Sequence, residues 1–148
     1  MTENNDFYKN LLKGKIAEQI IECLFLEAGI QIFKFGYENY FPEILRQNNK
    51  LKGEVATHIK QQSDFIFIDN ENTLHYLEVK YRKNCFLNDE QIEKYPEFII
   101  EVNSTSIECL NKKDEFPKFK HLREYKEFDN IKDDLLSKYM ELTKDIYN

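Results

Sequence analysis

The stretch "SDFIFIDNENTLHYLEVKYR", residues 63–82, decides how the chain is read. Two runs rich in Phe, Ile, Tyr and Val flank "DNEN", a set of turn formers, so the stretch predicts a β-hairpin. Side chains alternate across a strand, which puts Leu74, Tyr76, Glu78, Lys80 and Arg82 on one face and His75, Leu77, Val79 and Tyr81 on the other. If Ile68 pairs with Leu74, leaving a five-residue connection, Asp64 falls opposite Glu78 and points the same way. A four-residue loop would miss that pairing by one residue unless a bulge restored it.

Two carboxylates about 5 Å apart on a half-buried sheet repel each other, and each tends towards protonation unless a cation lies between them. A hard divalent ion resolves the conflict. Mg²⁺, or Mn²⁺ in its place, binds one or two carboxylates, keeps several waters and completes its shell from a phosphate. Lys80, beside Glu78, can then hold or help deprotonate the attacking water and stabilise charge on the attacked phosphate. An isolated Glu-x-Lys is more often an ordinary surface pair. The conjunction with Asp64 across the hairpin, and with Glu18 on a preceding helix, favours a site.

Outward from the hairpin, residues 7–28 read as a helix stopped by Gly29. Ile16, Ile20, Cys23 and Leu24 form one apolar stripe. A second runs through Leu11, Gly14, Glu18, Ile21 and Phe25, with Gly14 leaving room for another element to approach. "IQIFKFGYE" predicts a strand over 30–37, while 38–62 reads either as a loop or as holding a short helix at "PEILRQ". "NDEQIEKYPEF" predicts a short helix, with Asn88 and Gln91 in a capping-box spacing and Pro96 at its limit. "EFIIEV" is a further strand, 107–122 has room for another, and 129–147 returns to helix with Ile131, Leu135, Tyr139 and Leu142 as its docking face. The order predicts an α/β or α+β domain spanning 1–148, with a central mixed sheet flanked by helices and a C-terminal helix.

Bulk properties narrow the class. With 41% hydrophobic and 32% charged residues the chain has the composition of a globular protein, and twelve Phe and nine Tyr supply core volume without Trp. The longest apolar stretch is broken by Glu22 and Glu27, which excludes a membrane span, and the N-terminus lacks a secretion pattern; a cytoplasmic protein is expected. Cys23, Cys85 and Cys109 are odd in number and far apart, so buried free thiols are expected rather than disulfides or a zinc site. His58, His75 and His121 show no metal-ligand spacing. The net charge of −6 means that nucleic-acid binding would need a local basic face. "KKDEFPKFKHLREYK", residues 112–126, is the candidate for one, and reads equally well as a solvated surface.

With these residues in place, the chain resembles the PD-(D/E)XK nuclease superfamily of RecB-like, Holliday junction resolvase-like and restriction endonuclease-like proteins. The resemblance runs from about Lys13 to Val102 and rests on "GKIAEQIIECLFLEAGIQIFKF", "SDFIFI" and "LEVKYR". It implies a restriction-endonuclease-like core of helix, three-strand meander, helix and strand. It implies Asp64, Glu78 and the Val79 backbone carbonyl as metal ligands, Lys80 as the catalytic lysine, and Glu18 as the helical acid that completes the site or orients its water. Ser63 stands where the name-giving proline would be, a position at which the family varies. "QIEKY" is similar to the QxxxY motif of RecB-type nucleases and implies Gln91 and Tyr95 at the nucleic acid, with Arg82 and Lys83 following the lysine; capping alone would also account for Gln91. The activity so implied is a Mg²⁺-dependent endonuclease acting on DNA, with a homodimer or a partner protein supplying specificity. The alternatives are an assembly module that keeps the fold without catalysis, and a nuclease directed at RNA.

Overall fold

A computed structural model describes residues 2–35, 52–54, 63–82 and 89–147. The elements run α1 (Thr2–Glu27), β1 (Ile32–Lys34), β2 (Phe65–Ile68), β3 (Leu74–Tyr81), α2 (Asp89–Glu93), β4 (Phe98–Val102), β5 (Ile107–Asn111), β6 (Lys120–His121) and α3 (Asp133–Tyr147). Two single-turn 3₁₀ segments, Leu122–Glu124 and Lys126–Phe128, lead into α3. The strands form one sheet in sequence order β1-β2-β3-β4-β5-β6, antiparallel throughout except for the parallel pair β3 and β4. This mixed sheet with its N- and C-terminal helices is the α+β architecture expected from the order of elements. No helix among the described residues is long and apolar enough to cross a membrane.

The sheet has two unlike faces. On one, Phe65, Phe67, Leu77, Val79, Phe98, Ile100 and Val102 pack with Ala17, Ile20, Ile21, Leu24 and Phe25 of α1 and with Leu136 and Tyr139 of α3. The rings of Phe25, Phe67, Phe98 and Phe128 meet there at centroid distances of 5.3 to 5.6 Å, mostly edge-on or tilted, the arrangements that the aromatic quadrupole favours. On the other face a much smaller cluster, Ile99 and Leu110, is covered by Ile92, Tyr95 and Phe119. All five β4 side chains are buried because β4 is central and covered on both sides.

Helix α1 ends as its glycine predicts. Gly29 adopts a φ of +82°, the Gly29 N–H donates to the Leu26 carbonyl and the Ile30 N–H to the Phe25 carbonyl, the paired bonds of a Schellman cap. Several expectations are corrected. Among the described residues a Cβ at Gly14 would meet nothing within 4 Å, so no close approach requires a glycine there. Cys23 is exposed rather than buried, because the stripe that packs runs through Ala17, Ile20, Ile21, Leu24 and Phe25; Cys109 is a buried thiol as expected. On α3 the docking face is Leu136, Tyr139 and Thr143, and Leu142 points outwards. Of the face read off the sequence, Ile131 and Tyr139 are buried and Leu135 packs against the core; Leu142 alone turns away, and Leu136 and Thr143 are buried in addition. The expected helix at "PEILRQ", the Asn88 cap, Cys85 and Lys83 lie outside the described residues.

Candidate active site

The hairpin register is the one that aligns the two acids. Ile68 pairs with Leu74 and Phe65 with Leu77, leaving residues 69–73 as the connection. Asp69 builds this turn: its Oδ1 accepts the N–H groups of Glu71 and Thr73, and Asn72 takes the positive φ of 62° that the reversal needs. Continuing the register by one residue sets Asp64 against Glu78, where two hydrogen bonds lock the pair reciprocally. The Asp64 N–H donates to Glu78 Oε1 at 3.2 Å, and the Val79 N–H donates to Asp64 Oδ2 at 3.0 Å. Each carboxylate is therefore held by the backbone of the other strand. Their exposures are 5% and 4%, so the orientation is fixed inside the protein rather than at its surface.

Lys80 completes the group. Its Nζ lies 3.1 Å from Glu78 Oε2 and 5.2 Å from the centre of the Tyr95 ring. Burial works against its charge, but the Glu78 carboxylate and the Tyr95 hydroxyl outweigh this and raise its pKa above the ordinary lysine value. The side chain is thus held as an ammonium. Tyr95 is raised as well, chiefly by burial and then by Glu78, with Lys80 pulling the other way, so the phenol stays protonated at neutral pH. Both residues face the side of the sheet covered by α2.

Tyr95 reaches the lysine from a turn rather than from the helix expected to carry it. Helix α2 ends at Glu93 and the Tyr95 N–H donates to the Ile92 carbonyl. Pro96 accounts for this, since the residue before a proline is driven out of the helical region. Gln91 lies within α2, but its side chain, like the whole of Lys83, is outside the described residues. Arg82 turns back to donate to the Tyr81 carbonyl at 3.0 Å, and its own N–H donates to the Val102 carbonyl.

Among the described residues Glu18 does not complete a metal-holding group with this pair. Glu18 is on α1, whose buried stripe packs on the Leu77 and Val79 face, opposite the face that carries Glu78. Its Oε2 lies 3.8 Å from Lys15 Nζ. Among the described residues no three His, Cys, Asp or Glu side chains come together as a metal-holding group. A third acid missed in the sequence stands nearby instead: Glu101, 5% exposed, lies beside Lys80 in the β3–β4 register. The alternation of "EFIIEV" signals it, but only the parallel pairing places it next to the lysine.

Asp64 and Glu78 fit a hard divalent ion as far as they go. They are preoriented oxygen donors, and two carboxylates with one ammonium leave an acidic site. A two-carboxylate site suits an ion that keeps much of its water shell, such as Mg²⁺. The candidate basic stretch is less open than its composition implies. Lys112 pairs with Glu93, Lys113 with Glu97, Lys120 with Asp114 and Arg123 with Asp133. No family model, no curated protein and no solved structure matches this chain.

Proposed function

We propose that the chain is a divalent-metal-dependent phosphodiesterase of the PD-(D/E)XK kind that cuts DNA. The observation that carries the reading is the reciprocal locking of Asp64 and Glu78, buried side by side with Lys80 3.1 Å away. Holding two buried carboxylates together is costly in a protein that uses them only for structure, because desolvation and repulsion add. A bound cation offsets both.

Asp64 and Glu78 would hold Mg²⁺ or Mn²⁺, with the Val79 carbonyl as a further ligand on the family resemblance. The ion's contribution is to polarise the phosphate and ease deprotonation of the attacking water. Lys80, kept charged by Glu78, donates to the nucleophile or to the phosphate oxygens and balances the negative charge that grows during in-line displacement. A lysine held above its ordinary pKa suits this part better than that of a proton acceptor. Tyr95 orients the ammonium from the other side. Specificity in so small a chain would come from a second copy or a partner protein, and the setting would be cytoplasmic.

The test is cleavage of linear and supercoiled duplex, single-stranded and branched DNA and RNA, in Mg²⁺ and in EDTA. The wild type is expected to cut in Mg²⁺ only, and Glu78→Gln and Lys80→Ala to lose about a hundredfold or more of the rate, the scale of removing one preorganised charge-stabilising group. Cutting that survives in both variants would refute the assignment. Absence of cutting on every substrate would favour an assembly module without catalysis, a reading that the net charge of −6 and the paired cations of the basic stretch already favour.

A further inference from the structure

Beside the carboxylate pair, on the same face of the sheet, lies apolar surface that the chemistry above does not use. The register sets Phe33 against Ile66 and Ile66 against Tyr76, so these three form one row across β1, β2 and β3. The Phe35 N–H donates to the Asp64 carbonyl at 2.7 Å, which continues the same register and stands Phe35 next to Asp64. The Phe35 and Tyr76 rings lie 5.9 Å apart at an interplanar angle of 31°, in agreement with their sharing a face. The next row holds Ile68 and Leu74. Phe33, Tyr76 and Leu74 are 52%, 43% and 63% exposed, a contiguous group of large apolar side chains open to solvent.

We propose that this shelf seats the unpaired bases of a DNA strand whose phosphate enters the Asp64, Glu78 and Lys80 site. The proposal rests on the nuclease reading for the position of the phosphate and deepens it by naming the substrate class, single-stranded DNA. The arrangement along β3 supports it: Arg82 and Lys80 lie on one side of Glu78, and Tyr76 and Leu74 on the other. Cations therefore meet the backbone where the carboxylates act, and hydrocarbon and rings meet whatever lies beyond. A duplex would present sugar and phosphate to those rows, and among the described residues no Lys or Arg stands in them to receive a phosphate. A single strand presents the flat faces of its bases, which stack on aromatic side chains without regard to sequence. The uncharged polar side-chain groups among the described residues of these rows are the Tyr76 phenol and the Gln31 amide at the end of the Ile68 and Leu74 row, so most of the shelf offers a ribose 2′-hydroxyl no partner, which favours deoxyribose.

The full chain is mixed with a short labelled oligonucleotide and binding is read by fluorescence anisotropy, in Ca²⁺ and again in EDTA. The probes are single-stranded DNA, the same strand with abasic sites, the matching duplex and single-stranded RNA. Single-stranded DNA is expected to bind more tightly than the other three. Phe33→Ala and Tyr76→Ala are each expected to weaken it roughly five- to a hundredfold while leaving the abasic strand unaffected. Both side chains are half exposed, so unchanged thermal unfolding would show that the variants fold. Equal binding of the intact and abasic strands, preference for duplex or RNA, no binding, or unchanged affinity in both variants would each overturn the shelf. Duplex cleavage without base-dependent binding removes the shelf and leaves the nuclease; base-dependent binding without cleavage in Mg²⁺ leaves the shelf and removes the nuclease.

Discussion

His75 is held between two carboxylates, its Nε2 2.7 Å from Asp69 Oδ2 and its Nδ1 against Glu97 Oε2, a setting that favours the imidazolium, in which both ring nitrogens donate. It stacks on Phe67 and meets Phe98 edge-on, while Lys113 Nζ approaches the same Glu97 oxygen at 3.7 Å. Burial alone would lower its pKa; the hydrogen bonds to Asp69 and Glu97 outweigh this and raise it above 6.5. Asp69 is shifted the other way, lowered below 3.8 chiefly by its bond to His75. The stabilisation from His75 is therefore complete below pH 6.5 and is lost as pH rises through its folded value, whereas that from Asp69 is complete above pH 3.8 and is lost as pH falls through its folded value. NMR titration is expected to give a His75 midpoint above 6.5, brought down in Asp69→Asn; a midpoint at or below 6.5 in the wild type would show that the imidazolium clamp does not form. The contrast with Asp64 and Glu78 is instructive. That pair was legible in the sequence because a hairpin register is local, and counting from a turn suffices. The bond from His75 to Glu97 depends on a parallel pairing between strands separated by a helix, and no local count supplies it.

At the scale of elements, the two glycines of α1 and its cap separate propensity from geometry. Gly14 is inside the helix, and no described residue lies within 4 Å of where a Cβ would stand, so Gly14→Ala is expected to stabilise by roughly 0.5–1 kcal/mol through lower backbone entropy in the unfolded chain. Gly29 carries a φ of +82°, so Gly29→Ala is expected to destabilise by roughly 1–2 kcal/mol. Urea unfolding of the two variants checks the signs, and a destabilising Gly14→Ala would mean that α1 packs more closely there than the structure places it. Element types were legible because each has a local cause: the alternation of β3, the glycine stop of α1, the proline after α2. Burial at element ends was not. Leu142 looked like core because it continues an i, i+3 series, but the docking phase of α3 is set by Leu136, Tyr139 and Thr143 against the rest of the molecule. Tyr95 was read onto α2, and Pro96 stops the helix before it.

The molecule as a whole divides its work between the two faces of one sheet. One face is closed by α1 and α3 over a ring-rich core, and the other carries Asp64, Glu78 and Lys80 between the small Ile99 and Leu110 cluster and the Phe33, Ile66 and Tyr76 row. The stripe containing Ile21 and Phe25 takes α1, which carries Glu18, to the closed face. The proposed function demands that the two carboxylates, with one ammonium beside them, hold a divalent ion. Calorimetric titration of the metal-free protein with Mn²⁺ is the most direct measurement of that demand. The expected result is one Mn²⁺ bound per chain by the wild type and none by Asp64→Asn or Glu78→Gln; no binding by the wild type, or undiminished binding by both variants, would contradict it.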